Sequence, residues 1–299
     1  MAQPFSPSTP AFAVSPAHGL ARTQLLVIDP QNDFCDLPAA WQGHDPASGG
    51  RLAPSLPVPG AHSDLQRLAR FIAAHGDAID AITVTLDSHQ RCDIGHPGFW
   101  QTQDGAAVAP FTQITAAQLE AGAFRPRDAA ALPRVRSYLQ ALERQGRYTH
   151  MVWPVHCEIG SWGHAVHPQV QAACAAWQLQ RQRAASSVFK GMNPWTENYS
   201  ALQAEVPDPQ DPATQLNTRL LAALDSAELL LVAGQASSHC VRATTEHLLE
   251  HLPGGRPQRI VLLTDCMSPV AGFEAQHQAF LAAAEAQGVQ LADSSQIGL

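Results

Sequence analysis

The chain holds a single lysine: of its 18 basic residues 17 are arginine, and Lys190 stands alone. Basic residues are also outnumbered. Against them stand 26 acidic side chains, giving a formal net charge of -8, and no basic stripe exists, which argues against nucleic-acid binding. No apolar run approaches the roughly 18 residues of a membrane span, so a transmembrane helix is excluded and no membrane partner is expected. Six cysteines show no paired spacing, which argues against a disulfide framework and for free thiols in a cytoplasmic protein. Residues 1–22 are rich in Pro, Ser and Ala and lack a basic residue ahead of an apolar block. They read as a flexible lead-in, not as a secretory signal.

What is present is an ordinary globular composition. Of 299 residues 45% are hydrophobic, enough for a sizeable core, and no repeat or clean linker divides the chain, so one domain over 1–299 is expected. Apolar runs at 23–28, 79–86, 187–190, 227–233, 259–264 and 289–291 read as strands, with 150–153 as a further short strand end. Segments 61–75, 128–145, 168–181, 217–224, 240–252 and 273–286 read as helices, the first closed by Gly76. This alternation predicts an α/β domain doubly wound around a mostly parallel sheet. Residues 37–59 read as a surface loop, and 88–123, beyond one turn near 116–119, as a long irregular segment of the kind that carries function.

Ligand sites of open α/β sheets lie beyond the carboxyl ends of the strands. The residues just past the apolar runs are Asp29, Asp87, Trp153 with His156, Lys190 and Cys240. Cys240 follows a turn of small residues and opens a helix, whose N-terminus lowers a thiol pKa and offers N–H groups to an oxyanion. A buried structural thiol would suit the same position. Asp29 ends a fully apolar strand, where desolvation raises a carboxyl toward the range of a general base; a turn-capping role is the plainer alternative. Asp33, deeper in the loop, is expected to organise the turn. At Lys190 an ammonium has been kept where arginine is the default, and it can stabilise a thiolate or share a proton with a carboxylate. Taken singly, it would read as a solvated charge.

Asp87 and His89, two apart on an extended chain, point the same way, and His156 can complete a facial 2-His-1-carboxylate set suited to Zn²⁺, Fe²⁺ or Mn²⁺. With 14 histidines in the chain, some such pairs arise by accident. His96 is either a fourth ligand or a loop residue before Pro97. His164 and His167 are expected at the surface or behind the ligands. Cys35, Cys92, Cys157 and Cys174 have no comparable setting, and Cys266 lacks the small-residue turn.

Together these residues resemble the isochorismatase-like cysteine hydrolases, and among them the nicotinamidases. The likeness rests on Leu26 to Phe34 (LVIDPQNDF), Leu86 to His89 (LDSH), Trp153 to Cys157 (WPVHC), Phe189 to Gly191 (FKG) and Ser237 to Thr244 (SSHCVRAT). It implies a three-layer α/β/α fold with a six-stranded, mostly parallel sheet, lengthened at 37–59, 92–135 and 158–185. It implies a catalytic triad of Asp29, Lys190 and Cys240, an oxyanion hole from the N–H groups of Ala236 and Cys240, and a cis peptide between Gln235 and Ala236. Asp87, His89 and His156 would hold a divalent metal, zinc foremost, with iron or manganese as alternatives. Phe34 and Trp153 would sandwich a pyridine ring.

The activity so implied is hydrolysis of nicotinamide to nicotinate and ammonia through a thioester, a step of NAD salvage, in a homo-oligomer. Other readings stay open: the same chemistry on another small amide or carbamoyl compound, a metal-activated hydrolase with a structural Cys240, or a catalytically silent small-molecule binding protein. An isochorismatase-type ether hydrolase fits less well, since that reaction needs no Cys240 nucleophile.

Overall fold

Strands that are apolar on both faces need cover on both faces, and this requirement organises the molecule. A computed structural model of the protein describes residues 22–253 and 255–299; the expected lead-in over 1–22 lies, but for Arg22, outside the described residues. Six strands form one sheet: β1 (Thr23–Ile28), β2 (Ala81–Asp87), β3 (Ser186–Lys190), β4 (Leu229–Gly234), β5 (Ile260–Leu263) and β6 (Gln290–Ala292). Their order is β6-β5-β4-β1-β2-β3, and every neighbouring pair is parallel. The helices are α1 (Ala61–His75), α2 (Ala116–Glu120), α3 (Leu132–Gln145), α4 (Pro168–Arg181), α5 (Thr218–Asp225), α6 (Cys240–His251) and α7 (Glu274–Ala286).

Side chains alternate across each strand. Leu25, Val27, Leu231 and Val261 pack with Leu65, Leu68 and Ile72 of α1 and Trp177 of α4. Leu26, Ile28, Val232 and Leu262 face the other way, onto Leu224 of α5, Val241 and Leu248 of α6 and Phe280 of α7. Each such fully buried side chain contributes about 1.5–3 kcal/mol. The outcome is the three-layer α/β/α fold, with α4 leading directly into β3.

Three segments are defined more closely by the structure than by the sequence. The run at 150–153 is not part of the central sheet: His150–Val152 pairs antiparallel with Thr112–Ile114. Its Val152 is buried with Ile114, Val135 and Leu139 in a third apolar cluster under α3, so it needs no place between helix layers. The segment 88–123 is more regular than its composition suggests. Trp100–Thr102 pairs with Phe124–Pro126, and α2 opens on a reciprocal cap between Thr115 and Gln118. Likewise 37–59 holds a small hairpin of Gly43–His44 and Arg51–Leu52. Among the described residues no helix is long and apolar enough to cross a membrane.

His150 is fully enclosed between the rings of Trp100 and Tyr138, at 5.3 and 5.5 Å. Burial pushes its pKa down from 6.5 to about 4. Between those values the unfolded chain binds a proton here that the folded one refuses, so stability drops as the pH drops across that window. The unfolding free energy of wild type minus that of His150→Gln, measured in urea, should therefore shrink as pH falls from 6.5 toward 4. A difference independent of pH would refute the assignment.

Candidate active site

The four neighbouring strands β4, β1, β2 and β3 bring two carboxylates, one ammonium and one thiol to the same rim. Asp29 directly follows β1, Asp87 and Lys190 are the paired last residues of β2 and β3, and Cys240 opens α6 after β4. All four are buried, with 0% exposure for Asp29 and 4% for Lys190. The Lys190 Nζ lies 2.9 Å from Asp29 Oδ2 and 2.9 Å from Asp87 Oδ1. It donates also to the Asn198 carbonyl at 3.0 Å and to Cys240 Sγ at 3.4 Å. Thr85 of β2 steadies Asp29, donating to Oδ1 and accepting the Asp29 N–H at 3.0 Å. Gln31 does the same for Asp87 by clasping its backbone: Nε2 donates to the Asp87 carbonyl and Oε1 accepts its N–H, both at 2.8 Å.

Burial and charge set the protons. Burial raises the Asp29 carboxyl despite the nearby ammonium of Lys190. Burial alone would depress Lys190, yet Asp29, Asp87 and Cys240 hold it well above its ordinary range. The Cys240 thiol runs against the expectation from its helix terminus. Burial pushes it well up, and the attraction of Lys190 only partly opposes this.

The turn from β4 to α6 is tightly packed. Gly234 has φ 119°, and a Cβ there would lie 2.0 Å from the Ile28 carbonyl oxygen of β1. The Gln235–Ala236 peptide is cis. The Gln235 side chain donates to Asp64 of α1 at 2.9 Å and accepts the Ser268 N–H at 3.2 Å. Among the described residues, the N–H groups of Ala236 and Cys240 have no hydrogen-bond acceptor.

Asp87, His89 and His156 each offer a ligand atom within 4.8 Å of the others. Asp87 Oδ2 lies 3.0 Å from His89 Nε2 and 3.3 Å from His156 Nε2. Each imidazole is oriented from behind: His89 Nδ1 by Asp93 at 3.1 Å, and His156 Nδ1 by the Pro154 carbonyl at 2.8 Å. Burial would lower His89, but Asp87 and Asp93 hold its pKa well above 6.5. His96 stands behind His156, its Nε2 3.2 Å from His156 Nδ1 and its Nδ1 bonded to the Gln90 carbonyl.

A narrow cavity connects the two groups, bordered by Phe34, Asp87, Trp153, His156, Ala236 and Cys240. Glu197, Tyr199 and His239 border it as well, and sequence reasoning missed all three. Glu197 is pushed up to about 8 by burial, and its Oε1 is buried without a hydrogen-bond partner. No periodicity marks it in an irregular segment. Asp33 behaves as expected of a loop organiser, accepting the N–H groups of Ser55 and Cys157 at 3.0 and 2.7 Å. His164 bonds Ser88 Oγ and stacks on Phe189, whereas His167 is buried against His62, so neither enters the cavity. Cys266 is buried elsewhere, beside Asp265.

No family profile matches the chain, and no curated protein matches it in sequence. Solved structures do resemble it. Yeast nicotinamidase is 19% identical with TM-score 0.59, over 91% of this chain and 99% of that one. A nicotinamidase/pyrazinamidase from Acinetobacter baumanii is 18% identical with TM-score 0.59, over 92% and 97%. The pyrazinamidase of Pyrococcus horikoshii, solved in complex with zinc, is 17% identical with TM-score 0.51, over 91% and 99%. The fold of this chain is the one seen in these nicotinamidase and pyrazinamidase structures.

Gly234→Ala should cost at least about 2 kcal/mol of stability, because a side chain would meet Ile28 and strain the backbone together. Denaturant unfolding checks this, and a loss below about 0.5 kcal/mol would show that the turn is not held as described.

Proposed function

We propose that the protein is a cysteine-dependent amidohydrolase of the nicotinamidase type, converting nicotinamide and water to nicotinate and ammonia. The observation that carries the proposal is the contact of Cys240 Sγ with Lys190 Nζ at 3.4 Å while that ammonium pairs with Asp29 at 2.9 Å. Asp29, with its raised pKa, is suited to take the thiol proton, and Lys190 stabilises the thiolate left behind. The sulfur attacks the amide carbonyl carbon. The N–H groups of Ala236 and Cys240, free of other acceptors, receive the developing oxyanion. Asp29 returns its proton to the departing nitrogen, ammonia leaves, and an acyl-thioester remains on Cys240. Water then attacks the thioester, giving a proton to the Asp29 carboxylate, and the acid product is released as the thiol reforms. Phe34 and Trp153 flank the substrate ring.

The donor set fits a divalent metal: two imidazoles oriented from behind and one carboxylate offer ligand atoms within 4.8 Å of one another, and Asp87 and His156 border the cavity beside Cys240. Zinc in a related pyrazinamidase supports that choice. When bound, such an ion supplies a Lewis-acid site for the ring nitrogen of the substrate.

Wild-type protein should release ammonia from nicotinamide, and Cys240→Ala should lower the rate at least about a thousandfold. Release that survives the substitution would reject thiol catalysis, and no release from any amide would favour a silent binding protein. His156→Ala should lose its bound metal by elemental analysis while Cys240 still reacts with an alkylating agent. Unchanged metal content would refute the ligand assignment.

A further inference from the structure

A second, larger cavity adjoins the first across Tyr199 and His239, which border both. It measures about 200 Å³, against about 20 Å³ beside Cys240. Arg147, Tyr148, Arg242 and Phe273 also line it, whereas Asp87 and His156 border only the inner one. Arg147 is committed within the protein: it reaches His247 Nε2 at 2.7 Å and Glu246 Oε2 at 2.8 Å, and lies 3.5 Å from Glu205. Arg242 is different. Its Nε donates to Glu246 Oε1 at 2.7 Å, and among the described residues its two terminal nitrogens have no acceptor.

Its guanidinium carbon lies 5.6 Å from the ring centre of Tyr148, which Arg147 flanks at 5.5 Å. Beside that ring, the terminal nitrogens of Arg242 stay without an acceptor among the described residues. His239 adds a polar edge, since one ring nitrogen bonds to Ser238 Oγ at 2.9 Å and the other has no partner among the described residues. Two guanidiniums face two carboxylates here, but burial pushes Glu205 up to about 7, so the cluster has room for further negative charge.

We propose that this outer cavity is a subsite for a carboxylate on the substrate, so that the preferred amide carries an acid group on the side remote from Asp87 and His156. This rests on the cysteine-amidohydrolase chemistry proposed above and puts an acid-bearing amide ahead of nicotinamide as its preferred substrate. Nicotinamide, being neutral, would leave the free Arg242 donors unmatched, whereas a planar carboxylate fits both terminal nitrogens of one guanidinium.

The test uses intact protein and pairs of primary carboxamides that differ only in a carboxylate or its methyl ester, on tethers of graded length. In at least one pair kcat/KM should favour the carboxylate about tenfold or more. Arg242→Met, which keeps the apolar stem, should abolish that preference, and Arg242→Lys should retain part of it. Equal values within every pair, or a preference that survives Arg242→Met, would overturn the subsite. Calorimetric titration of Cys240→Ser with the same pairs reads binding alone. A carboxylate preference there, with no hydrolysis of any amide by wild type, would overturn the amidase reading and keep the subsite; no preference in binding would overturn the subsite itself.

Discussion

One buried ammonium held between two buried carboxylates is the interaction on which the rim of the sheet depends. Lys190 reaches over Asp87 to Asp29 and touches both at 2.9 Å. All three are buried, so each is tolerable only because the others are present. Removing one partner from such a group leaves an uncompensated charge and costs about 3–5 kcal/mol. The arrangement therefore constrains the strand ends to their observed register as firmly as apolar packing constrains the strands themselves.

Asp87 extends that constraint to the histidines. One carboxylate oxygen serves Lys190 and the other faces His89 and His156. The thiol side and the donor side of the cavity are thus electrostatically joined through a single residue. Burial would raise Asp87, and the cations around it override this and hold it well below the usual range. Asp29, with a single cation neighbour and a like charge nearby, goes the other way. Two aspartates one strand apart take opposite proton affinities because their surroundings differ, the pattern expected where one carboxylate holds cations and the other moves protons.

Much of this was legible before any coordinates. β1 and α1 end where their patterns end, since a two-faced apolar run and an amphipathic stripe are local properties of the chain. The strand-end rule brought Asp29, Asp87, Lys190 and Cys240 into one set. Glu197, Tyr199 and His239 escaped it because they reach the cavity from irregular backbone or from a helix approach, where no period predicts which way a side chain points. The run at 150–153 is a strand as expected, but its partner was open for the opposite reason. A short apolar stretch satisfies a sheet or a side cluster equally well, and its partner at 112–114 comes from a segment with no evident pattern. The thiol of Cys240 was expected to be acidified by its helix terminus, but the depth of its burial outweighs a dipole that falls off within a turn.

The amino-acid order by itself determined the alternation of covered strands and helices, and hence a parallel sheet with its chemistry at the carboxyl rim, because burial periodicity is written residue by residue. Only the tertiary structure decided that β2 lies between β1 and β3, that Asp87 stands in register with Lys190, and that a lysine 50 positions away meets the Cys240 sulfur. Strand order follows from how crossovers and distant apolar faces satisfy one another at once, a balance of long-range burial that no local stretch of sequence contains.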